Sequence, residues 1–207
     1  MFWNVFAGAY DFFETLFNGK VYKEFSDKTA AMVNSSDEVL ECACGTGVIT
    51  AKAAARCKRI VATDFAPKML NEARKKCSRF DNVTFEEGNI MDLKYEDESF
   101  DKVIAGNVIH LVDDPDKAFS EMLRVLKPGG QIILPTFLTA DNKLRGSVIV
   151  GLFNKMGASF KVEFSLESYT EFLKEHGFAD AKITLVKGFM PNAIAVISKK
   201  EDEVRTK

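Results

Sequence analysis

The sequence has no apolar run long enough to cross a membrane, because charged residues interrupt every such run well short of about 18 residues. It also lacks a strong charge excess, since 28 Lys and Arg face 30 Asp and Glu and the net charge is -2. A dedicated nucleic-acid binder needs a basic surface to neutralise phosphates, so we expect no nucleic-acid partner. The apolar fraction of 46% excludes a disordered chain.

Residues suited to metal or redox chemistry are scarce, because the chain has four Cys and two His. No two of the cysteines have the C-x-x-C spacing of zinc or redox sites, so we predict reduced thiols and no metal. No Lys or Arg precedes Lys20, so the positively charged start of a secretory signal peptide is missing. Both features favour a cytoplasmic protein.

Short apolar segments alternate with helical ones along most of the chain. Strands are predicted at 38–43, 59–64, 83–87, 102–106, 131–137, 181–186 and 193–198. The first five strands are separated by predicted helices, and such alternation favours a parallel sheet covered on both faces. The last two strands are joined by a link too short for a parallel return, so they must be antiparallel. The sequence therefore predicts an α/β domain whose mostly parallel seven-stranded sheet has a reversed edge strand.

A glycine turn, Cys44-Gly45-Thr46-Gly47, joins the first predicted strand to the first predicted helix. Glycines let a ligand approach the backbone closely, and the start of a helix presents free N–H groups. Asp64 ends the second strand, where a carboxylate can accept hydrogen bonds from a ribose diol. We therefore expect a nucleoside at the carboxyl edge of the sheet, beside the first strand.

Two residues indicate which nucleoside this is. Thr50 occupies the position where a dinucleotide fingerprint has Gly or Ala. Glu41 places a negative charge just before the turn, where a pyrophosphate would be repelled and a cationic ligand would not. S-adenosylmethionine has an ammonium and a sulfonium and fits this requirement. A nicotinamide-dependent oxidoreductase and a non-catalytic S-adenosylmethionine-binding module are the alternatives, and Glu41 could instead cap a helix or pair with a Lys.

The segment 41–47, with the sequence E-C-A-C-G-T-G, resembles motif I of the class I S-adenosylmethionine-dependent methyltransferases. The similarity covers roughly residues 37–137, with further matches at 61–70, 83–93, 99–103, 107–110 and 124–130. The nearest subgroup is the quinone-biosynthesis C-methyltransferase-like set, which contains many small-molecule enzymes. The resemblance implies a single Rossmann-like methyltransferase domain over residues 1–207. It also implies S-adenosylmethionine as cofactor and in-line methyl transfer to a small-molecule substrate.

The resemblance assigns roles to the matched residues. The methionine moiety and ribose would be held by Glu41, Ala43, Cys44, Gly45, Thr46 and Gly47. Asp64 would bind the ribose hydroxyls, and the adenine would contact Phe65, Met69, Asn89, Ile90 and Met91. Asn107 would face the methionine end, and Tyr10 would lie near the cofactor. Ala43 replaces the usual first glycine, which its methyl group permits at negative φ. Asn89 replaces a common Asp and would give the adenine amino group a weaker, neutral hydrogen bond.

His110 follows the fourth predicted strand, at the edge where the acceptor should approach. It titrates near neutrality, so it could remove a proton if the nucleophile must lose one. We therefore name it as the candidate catalytic residue. The alternative is that His110 caps a turn or shapes the pocket wall.

Two segments outside the matched region are predicted to complete the site. Residues 1–34 form a helical cover that begins with seven aromatics in its first seventeen residues, and Gly8 should weaken a continuous helix there. This cover is predicted to be mobile, whereas plain packing of an amphipathic helix is the alternative. Residues 138–165 form a substrate-side insertion with an apolar helix at 142–157. That helix is a candidate lid over an apolar substrate, homodimer contact, membrane-surface contact or simple packing element.

Overall fold

The computed structural model describes residues 2–140, 151 and 160–201, except for the side chains of 2, 5, 6 and 9–17. The predicted helix at 142–157 lies outside the described residues apart from residue 151. The described helices α1 to α5 are Phe2–Ala30, Val48–Ala54, Pro67–Lys76, Pro115–Val125 and Leu166–Glu175. The strands β1 to β7 are Glu38–Cys42, Arg59–Asp64, Val83–Glu87, Phe100–Ile104, Leu126–Phe137, Lys182–Val186 and Asn192–Ser198.

The seven strands form one sheet in the order β3-β2-β1-β4-β5-β7-β6. Strands β1 to β5 pair in parallel, whereas β7 is antiparallel to both β5 and β6. The predicted fold class is therefore confirmed, with the reversed strand β7 lying one position in from the sheet edge. The chain moves outward from β1 to β3 and then crosses back to β4. This reversal creates a crevice at the carboxyl ends of β1 and β4, where ligands bind in such sheets.

Apolar side chains fill both faces of the sheet. On one face, Phe119, Met122 and Tyr169 from α4 and α5 pack against the sheet, and the buried Tyr169 hydroxyl donates to the Leu134 carbonyl at 2.6 Å. On the other face, residues of α1 and α2, including Phe25, form a second buried cluster with the sheet. Helices packed on both faces of the sheet therefore fix the position of its carboxyl edge. Among the described residues, none of the helices is both long and apolar enough to span a bilayer.

Strand β5 begins at Leu126, five residues before the predicted start at 131. Leu126 pairs with Phe100 of β4, and the register then shifts before Lys102 pairs with Gln131. The Pro-Gly-Gly segment at 128–130, which the local sequence would favour as the end of a helix, thus lies in an irregular strand. Its pairing partner is supplied by a distant part of the chain, so the local sequence could not reveal it.

Helix α1 is bent, but not where the sequence indicated. The helix continues through Gly8 and loses helical geometry at Asn18, where φ is -144° and ψ is 24°. The Asn18 amide donates to the Met190 carbonyl at 3.1 Å and accepts from the Met190 N–H at 3.3 Å. Beyond the bend, Phe25 packs on the sheet; before it, the helix runs over the carboxyl edge to α3. The weakening expected at Gly8 does not interrupt the helix, because the propensity cost of one glycine is modest.

Candidate functional site

A cavity of about 360 Å³ lies at the carboxyl edge of the sheet, at the crossover between β1 and β4. Its walls come from the segments that follow β1, β2, β3 and β4 and from the start of α1. Nine residues predicted to bind the cofactor line it: Ala43, Gly45, Asp64, Phe65, Met69, Asn89, Ile90, Met91 and Asn107. A smaller adjoining pocket of about 50 Å³ is lined by Glu41, Cys44 and Thr46 together with Ala43, Gly45 and Asn107. The structure therefore brings together residues from four separate stretches of the sequence.

The turn after β1 has a left-handed backbone at three positions. The φ angles are 54° at Ala43, 55° at Gly45 and 78° at Gly47. The Cys44 N–H donates to the Thr63 carbonyl at 2.8 Å, which keeps the turn attached to β2 while it leaves the sheet. The negative φ under which a methyl group would be permitted at Ala43 is not what the structure has, because Ala43 adopts the conformation that usually belongs to glycine. Gly47 does not line either pocket, and a Cβ there would lie 2.9 Å from the Ala73 Cβ.

Asp64 connects the glycine turn to the start of α3. One carboxylate oxygen accepts from the Gly45 N–H at 2.8 Å, and the other accepts from the Ala66 N–H at 2.9 Å. Burial raises the pKa of Asp64 above its ordinary value, although these two hydrogen bonds oppose the shift. Each carboxylate oxygen can accept more than one hydrogen bond, so capacity remains for a ribose diol.

Glu41 is fully buried beside the smaller pocket. Its carboxyl group accepts a hydrogen bond from the Thr50 hydroxyl at 2.6 Å. Burial raises the pKa of Glu41 to about 8, and the Thr50 hydrogen bond only partly offsets this effect. Without a ligand, Glu41 therefore holds a proton at neutral pH, which corrects the expectation of a standing negative charge. A nearby cation would favour the ionised form.

The part of the cavity that is predicted to contact adenine has one exposed ring and one polar turn. Phe65 is 46% exposed, an unusual state for a large apolar side chain and one that a planar ligand would relieve. Met69 is buried at the base of the same wall. The Asn89 side-chain oxygen accepts from the Met91 N–H at 3.0 Å, which leaves one lone pair for an adenine amino group.

His110 lies behind the cavity wall. It is 2% exposed and does not line either of the two pockets. Its Nδ1 is 3.0 Å from the Thr136 hydroxyl, and its ring stacks on Phe160 with centroids 4.9 Å apart. Burial lowers the pKa of His110 to about 3, which makes the imidazole a weak base. This placement favours the wall-shaping interpretation, and a catalytic role for His110 stays a prediction.

Two residues that line the cavity, Trp3 and Gly106, were not among the predicted site residues, and a third residue, Tyr10, was predicted but its side chain is not described. Trp3 of α1 lines the cavity, and its signal was the aromatic cluster at the start of the sequence. Gly106 lines both pockets, and a Cβ there would lie 2.6 Å from Cδ1 of Ile49, so a larger residue would require the Ile49 side chain to shift. Tyr10 lies in α1, but its side chain is outside the described residues.

The cysteine thiols are buried and protonated. None of Cys42, Cys44, Cys57 and Cys77 is in a disulfide. Burial raises the pKa of Cys57 and of Cys77 to about 11, so neither forms a reactive thiolate at neutral pH. Within the described part of the chain, no group of three or more His, Cys, Asp or Glu side chains could hold a metal ion.

Comparison with known proteins identifies the family. A methyltransferase domain model matches residues 40–134. A demethylmenaquinone methyltransferase from Bacillus velezensis is 31% identical over 200 residues, which cover 86% of this chain and 85% of that protein. One from Clavibacter sepedonicus is 35% identical over 136 residues, covering 64% of this chain and 55% of that protein. The chain thus spans about half the length of several curated relatives, including 56% of one from Bacillus subtilis.

Solved structures share the fold. An S-adenosylmethionine-dependent methyltransferase from Thermotoga maritima has a TM-score of 0.71 and 21% identity, covering 96% of this chain and all of that one. The YcgJ protein from Bacillus subtilis has a TM-score of 0.68 and 18% identity, covering 87% of this chain and all of that one. At these identities the likeness shows the fold alone.

The fold and the site together define a class I S-adenosylmethionine-dependent methyltransferase domain, as the motifs predicted. The chain belongs to the quinone-biosynthesis C-methyltransferase-like subgroup of that family.

Proposed function

We propose that the protein transfers the methyl group of S-adenosylmethionine to a small, apolar acceptor by in-line displacement. The observation that supports this most directly is the Asp64 carboxylate, which lies at the cavity and accepts from Gly45 of the glycine turn at 2.8 Å. Asp64 would then serve as the ribose-binding group beside the glycine turn. Glu41 and Asn107 then extend the polar surface toward the methionine part of the cofactor.

The cofactor, when bound, supplies a methyl group on a sulfonium whose departure leaves a neutral thioether. The protein therefore has to orient the reacting groups and exclude water. Asp64 would hold the ribose, and Phe65 with Met69 would fix the adenine. A cationic ligand would draw the proton from Glu41, giving a buried carboxylate opposite the ammonium. Trp3, from the cover, closes part of the cavity mouth.

The acceptor is proposed to be an apolar, quinone-like ring. The cavity wall after β4 includes Val108, Leu111 and Val112, whose side chains offer no hydrogen bonds. Asp113, which ends this wall, is in an ion pair with Lys161 at 2.7 Å. The aligned relatives are demethylmenaquinone methyltransferases by name. A role of 142–157 as a lid, homodimer contact or membrane-surface contact stays part of this proposal. The cytoplasm is the proposed location, supported by four buried, free thiols.

Calorimetry on the whole protein tests the cofactor assignment. S-adenosylhomocysteine should bind, and NAD and NADP should not. Asp64→Asn should weaken S-adenosylhomocysteine binding by about 1.5–3 kcal/mol, the range for hydrogen bonds to a charged group. The matched control is Asp101→Asn, because Asp101 accepts from the Glu38 N–H at 2.8 Å at the opposite edge of the sheet.

Each outcome of this experiment separates two function classes. Binding of NADP without S-adenosylhomocysteine would indicate the oxidoreductase alternative. Turnover with demethylated quinols, followed as S-adenosylhomocysteine release, would support the enzyme. Tight cofactor binding without turnover on any apolar ring acceptor would instead favour the non-catalytic binding module.

A further inference from the structure

A buried amide, Asn192, lies behind the pocket residue Asn107. It is the first residue of β7, it is fully buried, and it pairs across the sheet with Phe137 and Val186. Its Nδ2 donates a 2.7 Å hydrogen bond to Oδ1 of Asn107. Its Oδ1 has no hydrogen-bond partner among the described residues. Neither motif nor fold accounts for an amide at this position.

Because its side-chain oxygen is unpaired, Asn192 is not explained by its contribution to folding stability. A buried carbonyl oxygen without a donor costs free energy, whereas an apolar side chain of similar size would avoid that cost. An amide can direct only one of its two polar groups at Asn107, and here it directs the donor. A buried polar group that is kept at such a cost requires an explanation, and the hydrogen bond to a pocket residue provides one.

The hydrogen bond with Asn192 engages one of the two polar groups of the Asn107 amide and leaves the other for a ligand. Asn107 lines both pockets, so it lies where the larger cavity meets the smaller pocket that contains Glu41. Its backbone is left-handed, with φ of 54°, and its N–H donates to the Pro135 carbonyl at 2.8 Å. Because the Asn107 side-chain oxygen accepts from Asn192, its Nδ2 is the group available to a ligand. Asn107 is therefore presented as a hydrogen-bond donor.

The methionine part of S-adenosylmethionine has one acceptor group, the carboxylate, and one donor group, the ammonium. A donor at Asn107 complements the carboxylate and leaves the ammonium for acceptors such as Glu41. A reversed Asn107 amide would direct its oxygen at the carboxylate and repel it. The orientation of one amide thus decides whether this end of the pocket accepts an amino acid.

Asn192 is well placed to hold that orientation. Its backbone is fixed by ladder pairing with β5 on one side and β6 on the other. Two residues earlier, Met190 is held at both its N–H and its carbonyl by Asn18 of α1. A polar group supported on rigid elements can fix the side chain that it contacts.

We propose that Asn192 is a positioning residue that fixes the Asn107 amide with its Nδ2 toward the carboxylate of the cofactor's methionine part. The inference rests on the proposed function, because it takes S-adenosylmethionine as the ligand. It concerns a residue outside every matched motif.

A double-mutant cycle read with two ligands tests the inference. S-adenosylhomocysteine has the carboxylate, whereas 5′-methylthioadenosine keeps the adenosine and thioether and lacks the amino acid. We expect Asn192→Leu to weaken S-adenosylhomocysteine binding about three- to tenfold and Asn107→Ala about tenfold. In the Asn107→Ala background, Asn192→Leu should have no further effect, because Asn192 acts through Asn107. Binding of 5′-methylthioadenosine should change less than about twofold throughout.

The melting temperature provides the folding control. Asn192→Leu removes an unpaired buried oxygen, so we expect it to unfold at the same or a higher temperature. Asn192→Ser, whose short hydroxyl should not reach Asn107, provides a second variant with the same expected binding loss. Additive effects of Asn192→Leu and Asn107→Ala, or equal losses for the two ligands, would overturn the inference. Failure of the unmodified protein to bind either ligand would contradict the proposed function instead.

Discussion

Ala43 holds a backbone conformation that costs most residues free energy. Its φ of 54° matches that of Gly45 two residues later, yet Ala43 has a Cβ. For a residue with a Cβ, the left-handed conformation is roughly 1–2 kcal/mol less favourable than the right-handed one. The turn adopts this conformation because Cys44 stays hydrogen-bonded to β2 while the chain leaves the sheet. The site is therefore built on local strain that the rest of the fold maintains.

Two single substitutions, one at each of these positions, test the strain. Ala43→Gly should raise the free energy of unfolding by about 0.5–1 kcal/mol, because the relief of strain exceeds the added freedom of the unfolded chain. Gly45→Ala should lower it by about 1 kcal/mol, since a Cβ at Gly45 meets no atom within 4 Å and only the backbone conformation opposes it. Urea unfolding of both variants measures these changes. A less stable Ala43→Gly variant would show that packing of the Ala43 methyl group outweighs its strain.

At the scale of elements, a side chain of α1 caps the start of α3 and so joins the two helices. Helix α3 begins after Ala66, which provides no side-chain cap. The Asn4 side-chain oxygen accepts instead from the Lys68 N–H at 3.1 Å. Ala7, one helical turn further along α1, packs with Ala66 and Met69. The first half of α1 is thus attached to the segment that forms the adenine wall.

Removing this cap should loosen the cover. Asn4→Ala should cost about 0.5–2 kcal/mol of local stability at the start of α3 and weaken S-adenosylhomocysteine binding. Hydrogen exchange should become faster at Lys68 and over residues 2–8. The control is Asn82→Ala, because the Asn82 amide donates to the Ala54 and Cys57 carbonyls, at the end of α2 instead of at the cofactor site.

The same measurement distinguishes a mobile cover from a fixed helix. If α1 closes over the ligand, addition of S-adenosylhomocysteine should slow exchange over residues 2–17 in the unmodified protein. Exchange there that does not respond to the ligand would support the packing alternative.

Elements bounded by local signals could be predicted from the sequence, whereas those defined by distant partners could not. The strands β2 and β3 have the bounds expected from their β-branched residues and flanking turns. Strand β5 starts early because Leu126 pairs with Phe100 of β4. The side-chain oxygen of Asn107 is engaged by Asn192, which lies 85 residues away in the sequence. Most of the residues that motif spacing assigned to the cofactor line the two pockets, because each assigned group lies at or just after the end of one of the strands β1 to β4. The left-handed φ of Ala43 was missed because its residue type argues against it.

At the scale of the whole molecule, two buried groups make stability depend on pH in opposite directions. The pKa of His110 is lowered from 6.5 to about 3, so its contribution is present above pH 6.5 and is lost as pH falls toward 3. The pKa of Glu41 is raised from 4.5 to about 8, so its contribution is present below pH 4.5 and is lost as pH rises toward 8. The two effects oppose each other between pH 4.5 and 6.5, so the unliganded fold is weakened below and above that interval.

Glu41→Gln should remove the alkaline part of this dependence. Between pH 4.5 and about 8, the window set by the Glu41 shift, the unmodified protein should lose more than about 1 kcal/mol of unfolding free energy that the variant keeps. Glu38→Gln in the same strand is the matched control. The pKa of Glu38 is lowered to about 2 by hydrogen bonds from Lys58 and Arg59, so it is ionised throughout this range and its loss should leave the slope unchanged. Urea unfolding at several pH values provides the comparison.

Ionisation of Glu41 should also make cofactor affinity depend on pH. A bound ammonium favours the ionised form of Glu41, so cofactor binding must release a proton wherever the free protein holds one. We expect S-adenosylhomocysteine to bind more tightly as pH rises from 6 toward 8, while the unliganded protein becomes less stable over the same interval. Calorimetry in buffers of different ionisation enthalpy would detect the released proton. Proton release that persists unchanged in Glu41→Gln would assign the titration to another group, with Asp64, whose pKa burial also raises, the first to examine.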